Sequence, residues 1–220
     1  MLSVVAAEPG LRARKKQQTR ERIAEAARRL FLEHGFERVT VAMVARAADV
    51  APGTVFNYFP TKEDLFYSGL ENFEVELVQA VRHRPSGESA LSAFRRVVLD
   101  GTKRLAGEEV AQVIANAARI IDASPALQVR EREIVARATD ALARLIAEEA
   151  ASDQHNLEAW VAANALMGVQ RALVADVRAQ ILAGRQGATL AKHARSEATR
   201  AFALLETGLR DYARKPNQPR

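Results

Sequence analysis

The side chains most often used for catalysis are thinly spread along this chain. Its four histidines stand at positions 34, 83, 155 and 193, and none lies in HExxH, HxE or GxSxG spacing. The eleven glycines occur singly, so no glycine-rich loop is available to wrap a phosphate. There is no cysteine, which removes disulfides, cysteine–zinc sites and thiol catalysis together. The expectation is therefore no enzyme, no metal and no cofactor. Recognition chemistry remains, and it is concentrated between Thr40 and Lys62, in TVAMVARAADVAPGTVFNYFPTK, where hydroxyl, amide, phenol and ammonium groups crowd into one short stretch.

The elements that position those groups are legible. Val41, Val44, Ala45 and Ala48 share one face at helical spacing, and Thr40 stands where a hydroxyl caps the first turn. Asp49-Val50-Ala51 is long enough only for a turn. Pro52 suits the first position of a new helix, because its missing N–H has no partner to lose there. Pro60 ends that helix after about two turns. Two short helices joined by a tight turn make a helix-turn-helix, whose second helix enters the DNA major groove.

Charge supports a polyanion partner. Residues 1–62 hold eleven Lys/Arg against six Asp/Glu, and the chain totals of 32 and 27 leave 21 of each for the remainder. All the net charge of +5 thus lies beside the helix-turn-helix. The basic run LRARKKQQ, with Arg12, Arg14, Lys15 and Lys16, reads either as an arm along phosphates or into the minor groove, or as a solvated helix start. No run of apolar residues is long enough to span a bilayer. The apolar patch near Met1 precedes its basic residues rather than following them, so a cytoplasmic location is expected.

The rest reads as helices only. The first runs from near Arg12 or Thr19 to His34 on Ile23, Ala26, Ala27, Leu30 and Phe31, and Gly35 stops it. Thr61 to Asp64 resembles a capping box and begins one long helix through Leu65, Phe66, Leu70, Phe73, Leu77 and Val81 to near His83. Further helices are expected near 88–106, 108–121, from Ser124-Pro125 to Ala150, from Asp153 to Gly184, and from Thr189 to Ala213. This is an all-α chain of about nine helices. Its expected divisions are a disordered 1–10, a DNA-binding domain over 11–62, a helical regulatory and dimerisation domain over 63–214, and a disordered 215–220. Alanines at 162, 163, 172, 175, 194, 198 and 201 give the last two helices small faces. Those faces read equally as intrachain core or as half of an intermolecular four-helix bundle.

The stretches TRERIAEAARRLFLEHGFERVTV and VARAADVAPGTVFNYFPTKEDLF resemble the TetR (tetracycline-repressor-like) family of bacterial regulators. The resemblance implies an all-α homodimer whose first three helices bind a double-stranded DNA operator. Its fifth to seventh helices enclose a ligand, and its last two form the dimer. Carried onto this chain, Thr40, Tyr58 and Lys62 contact phosphates, Gly53 and Thr54 approach base edges, and Asn57 reads an adenine or holds a phosphate. Val55 and Phe59 anchor the helix. The sequence departs from the family at Phe56, where many members carry a tyrosine, and at Pro52, where many carry Ser or Lys. Phe56 then either touches a thymine methyl or only packs.

Candidate ligand residues are Asn116 and Asn164, unfavourable inside helices, with Arg119 and Met167 one turn from them and Arg171 one turn beyond Met167. The competing reading makes these interhelical hydrogen bonds or exposed residues. Arg119 or Arg171 in a cavity favours an acidic or acyl-type effector. The sequence thus points to a ligand-released repressor on a palindromic operator, with a constitutive or architectural DNA binder as the alternative.

Overall fold

Helix α1, Leu11–His34, carries Ile23, Ala27 and Phe31 on its buried face and stops at Gly35. Gly35 takes φ 74°, the left-handed conformation that costs a glycine least. The computed structural model describes residues 10–68, 72–149 and 157–208. Of the expected features, residues 1–9 and 215–220, the Asp153 cap and Leu70 fall outside these. Ten α-helices and no strand occur among the described residues. No helix among them is long and apolar enough to cross a membrane.

The chain divides into two compact units, Met1–Asn72 with Ile120–Arg130, and Phe73–Arg119 with Glu131–Arg220. The first is larger than the expected 11–62. It holds α1, α2 (Val41–Ala47), α3 (Pro52–Tyr58) and α4 (Lys62–Tyr67). It also takes in the end of α7 (Glu108–Asp122) and the start of α8 (Pro125–Glu149). The single helix expected from Thr61 to His83 is described as two elements, α4 and α5 (Asn72–Arg82). At the end of α4 the Ser68 hydroxyl bonds back to the Leu65 carbonyl at 2.8 Å. Residues 69–71 between the two elements lie outside the described residues.

The second unit contains α5, α6 (Ala90–Arg104), most of α7 and α8, α9 (Leu157–Leu182) and α10 (Gly187–Thr207). Its main core joins Leu77, Val81, Phe94, Leu142, Met167 and Phe202. Phe94 and Phe202 meet edge-on, with ring centroids 6.2 Å apart. A second cluster packs Leu105, Ala111, Ala115, Ile181, Leu190 and Ala194. The alanine faces divide between the two readings of the sequence. Ala163, Ala194 and Ala198 are buried in the intrachain core, whereas Ala172 and Ala175 are exposed on α9.

Candidate nucleic-acid interface

The turn between α2 and α3 is closed by backbone. The Val50 N–H donates to the Ala45 carbonyl at 3.0 Å, and the Asp49 N–H to that of Arg46 at 3.2 Å. Asp49 sits at φ 51°, a conformation Asp tolerates better than most residues. Thr40 caps α2, its hydroxyl oxygen accepting from the Met43 N–H at 3.2 Å. The hydroxyl proton stays available to an outside acceptor. On α3, Val55 and Phe59 are buried as anchors, and Arg20 of α1 lies over the Phe59 ring at 4.9 Å.

The opposite face of α3 is open. Pro52, Gly53, Phe56 and Asn57 are exposed, Phe56 to 51%, and Thr54 and Tyr58 are half-buried. Packing inside the chain therefore does not occupy Phe56, which leaves its apolar surface for an outside contact. A Cβ built on Gly53 meets nothing within 4 Å. No neighbour within the chain requires a glycine there. Met43 and Arg46 are exposed on α2 at three-residue spacing from Thr40, two residues the motif reading did not single out.

Lys62 differs from the free phosphate contact expected of it. Its ammonium donates to the Phe36 carbonyl at 3.1 Å and lies 4.1 Å from the centre of the Phe36 ring, with the side chain half-buried. It ties α4 to the loop before α2. The first-turn amides of α4 are also partly occupied. Thr61 and Asp64 form the capping box, with bonds of 3.0 and 3.1 Å that engage the amides of Thr61 and Asp64.

The basic run is helical. Arg12, Arg14, Lys15 and Lys16 lie exposed in the first turns of α1, and the Thr19 hydroxyl bonds back to the Lys15 carbonyl at 3.0 Å. A helix start cannot thread the minor groove as an extended arm does, so in this conformation the run presents charge only. Further along α1, Arg28 donates two hydrogen bonds to Glu25, at 2.9 and 2.6 Å, and holds that carboxyl below its usual range.

The five candidate ligand residues are not gathered. Asn116 accepts from Gln112 at 3.0 Å and from exposed Arg119 at 3.4 Å along the surface of α7. The Asn164 amide donates to its own helix, to the Trp160 carbonyl at 2.8 Å, and is exposed, as is Arg171. Met167 is core. Each asparagine side chain makes a hydrogen bond within one turn of its own helix, which accounts for its tolerance there without a ligand. A cleft of about 390 Å³ runs along α6 beside Arg195, walled by Arg95 and Arg96. Those arginines are answered by Glu206 at 2.6 Å and Glu88 at 3.2 Å. It is an open, charged surface rather than an enclosed apolar site. Among the described residues no three His, Asp or Glu side chains could hold a metal.

Buried anchors under an exposed face, capped and joined by a backbone-closed turn, define a helix-turn-helix. Residues 23–68 match the family model of bacterial regulatory proteins, tetR family. It is 35% identical over 150 residues to the HTH-type transcriptional regulator TcmR of Streptomyces glaucescens, covering 63% of each chain. It is 31% identical over 123 residues to the transcriptional repressor KstR of Rhodococcus jostii, covering 56% of this chain and 58% of that one. Both matches span less than two thirds of the relative's length. The fold is also that of Thermus thermophilus FadR, a repressor solved in complex with lauroyl-CoA, at 23% identity and a TM-score of 0.52, covering 91% of this chain and 98% of that one.

Proposed function

We propose that this protein is a sequence-specific transcriptional regulator that binds a palindromic operator as a homodimer, represses from it, and is released by a small-molecule effector. The observation that carries the reading is the open face of α3, where Gly53, Phe56 and Asn57 stand exposed above buried Val55 and Phe59. Thr40 and Tyr58 fix the frame on phosphates, assisted by Arg12, Lys15 and Lys16, and Lys62 adds its remaining donors. Such a reader of chromosomal DNA works in the cytoplasm.

Dimerisation is supported by α9. Leu157, Val161, Asn164, Gly168, Ala172, Ala175, Ala179 and Leu182 recur at three- and four-residue spacing along one helix face, and Leu157 and Val161 are 75% and 60% exposed. A long apolar and small-residue seam of this kind suits close packing against a second copy. An effector belongs to the reading because a neighbour in fold is an acyl-CoA complex. The chain's own support for an acidic or acyl effector is gone, since Arg119 and Arg171 are both exposed. That same observation favours the second reading, a constitutive DNA binder.

A gel shift with duplexes selected from a random pool tests the shared claim. A sequence-preferring complex is expected, and Asn57→Ala should shift preference among sites by about 1–3 kcal/mol if the amide makes a bidentate base contact. Absence of any preferred duplex would remove both DNA readings. Release of the complex by an acyl-CoA series separates regulator from constitutive binder.

A further inference from the structure

The first unit contains a segment that belongs, along the chain, to the later helices. Ile120–Arg130 is the end of α7 and the first turns of α8, and polar contacts hold it there. The Ser124 hydroxyl, 1% exposed, donates to Glu37 at 2.6 Å. The Tyr67 hydroxyl donates to the carbonyl of fully buried Leu127 at 3.0 Å. The Arg130 guanidinium pairs with Asp64, both side chains largely shielded from water. Gln128 staples the segment together by donating to the Ile121 and Asp122 carbonyls at 3.3 and 3.0 Å.

What these contacts touch is specific. Glu37 precedes Thr40, the cap of α2, by three residues. Asp64 follows Phe59, the cap of α3, by five. The carboxylate of Asp64 serves twice, one oxygen accepting from the Thr61 N–H at 3.0 Å and the other taking Arg130. Lys62 closes the circuit by bonding the carbonyl of Phe36, the residue beside Glu37. The helix-turn-helix is therefore gripped just before its first residue and just after its last, by side chains that lie off its reading face.

We propose that Ile120–Arg130 is a clamp, and that Ser124 and Arg130 are positioning residues that set the conformation in which α2 and α3 are presented to DNA. The proposal rests on the DNA-binding reading and names where that site is regulated. α7 and α8 run on beyond the clamp into the second unit as unbroken helices. An event that displaces them pulls on Glu37 and Asp64 together. The clamp releases when the Ser124 and Arg130 contacts separate, and it needs no change at any DNA-contacting residue.

The test uses the full-length chain carrying Arg130→Met, Ser124→Ala or the conservative Arg130→Lys. Amide hydrogen exchange across 40–59 is measured in the free protein, beside the salt-dependent affinity for a selected duplex. Arg130→Met and Ser124→Ala should each speed exchange at α2 and α3 by roughly 3- to 30-fold, the span of indirect coupling effects, while α9 keeps its wild-type protection. Operator affinity should fall by a similar factor with an unchanged slope against log salt, because no phosphate contact is lost. Arg130→Lys should restore most of both. If Arg130→Met unfolds the chain, Ser124→Ala, which removes one hydroxyl, decides. Unchanged exchange at α2 and α3 overturns the clamp, and so does an affinity loss that lowers the salt slope. A wild-type chain that selects no duplex sinks the DNA reading instead, and exchange still judges the clamp.

Discussion

Gly53 separates the demands of folding from those of binding. Inside a helix, alanine is favoured over glycine by about 1 kcal/mol, and a Cβ at this position meets nothing. Gly53→Ala should therefore leave thermal stability unchanged or raise it, while operator affinity falls at least about tenfold as the added methyl holds the backbone off the groove (1.4 kcal/mol per decade). Equal affinity of variant and wild type would show that α3 does not approach DNA at this point. Lys62 makes the opposite prediction, because its ammonium is engaged within the unit. Lys62→Met should cost about 1–2 kcal/mol of unfolding free energy, from one charge-assisted hydrogen bond and a cation–π contact. It should lower the salt slope by at most about one ion. A changed slope with wild-type stability would return Lys62 to a purely DNA-facing role. Thr40, Gly53 and Asn57 were legible as candidates because motif spacing puts them on exposed helix surface. The role of Lys62 was not, since its partner Phe36 lies 26 residues away.

Among the elements, α4 follows the reader directly and is capped at its start despite its six residues. Its capping box sits directly behind α3, and Leu65 and Tyr67 bury its inner face. Thr61→Ala should cost about 1 kcal/mol of stability through the lost cap, and exchange should rise in α4 before it rises in α1. A uniform rise would mean that the cap supports the whole unit rather than this element. Helix boundaries were readable wherever a cap or breaker carried them, as at Thr40, Pro52, Pro60, Thr61 and Gly35. The expected helix from Thr61 to His83 passes through residues 69–71, which lie outside the described residues. The clamp was illegible for a different reason. Glu37, Asp64 and Tyr67 meet Ser124, Arg130 and Leu127 across 60 to 87 residues, and local pattern says nothing about such pairings.

For the whole molecule, the seam along α9 ties the assembly to the DNA-binding claim, since a palindrome is read by two copies. A chain with Leu157→Glu and Val161→Glu should sediment as a monomer with little change in helix content, and its operator affinity should fall steeply. A dimer that survives both changes would place the interface elsewhere. An amide inside a helix can bond to its own turn, as Asn164 does to Trp160, so asparagine in a helix does not by itself mark a cavity. Selection of duplexes from a random pool by the 220-residue chain tests DNA reading by two copies most directly. The predicted result is enrichment of a dyad-symmetric site whose half-sites lie one helical turn apart or a multiple of it, about 34–36 Å per turn. Enrichment of a single asymmetric site, or of none, would contradict such reading.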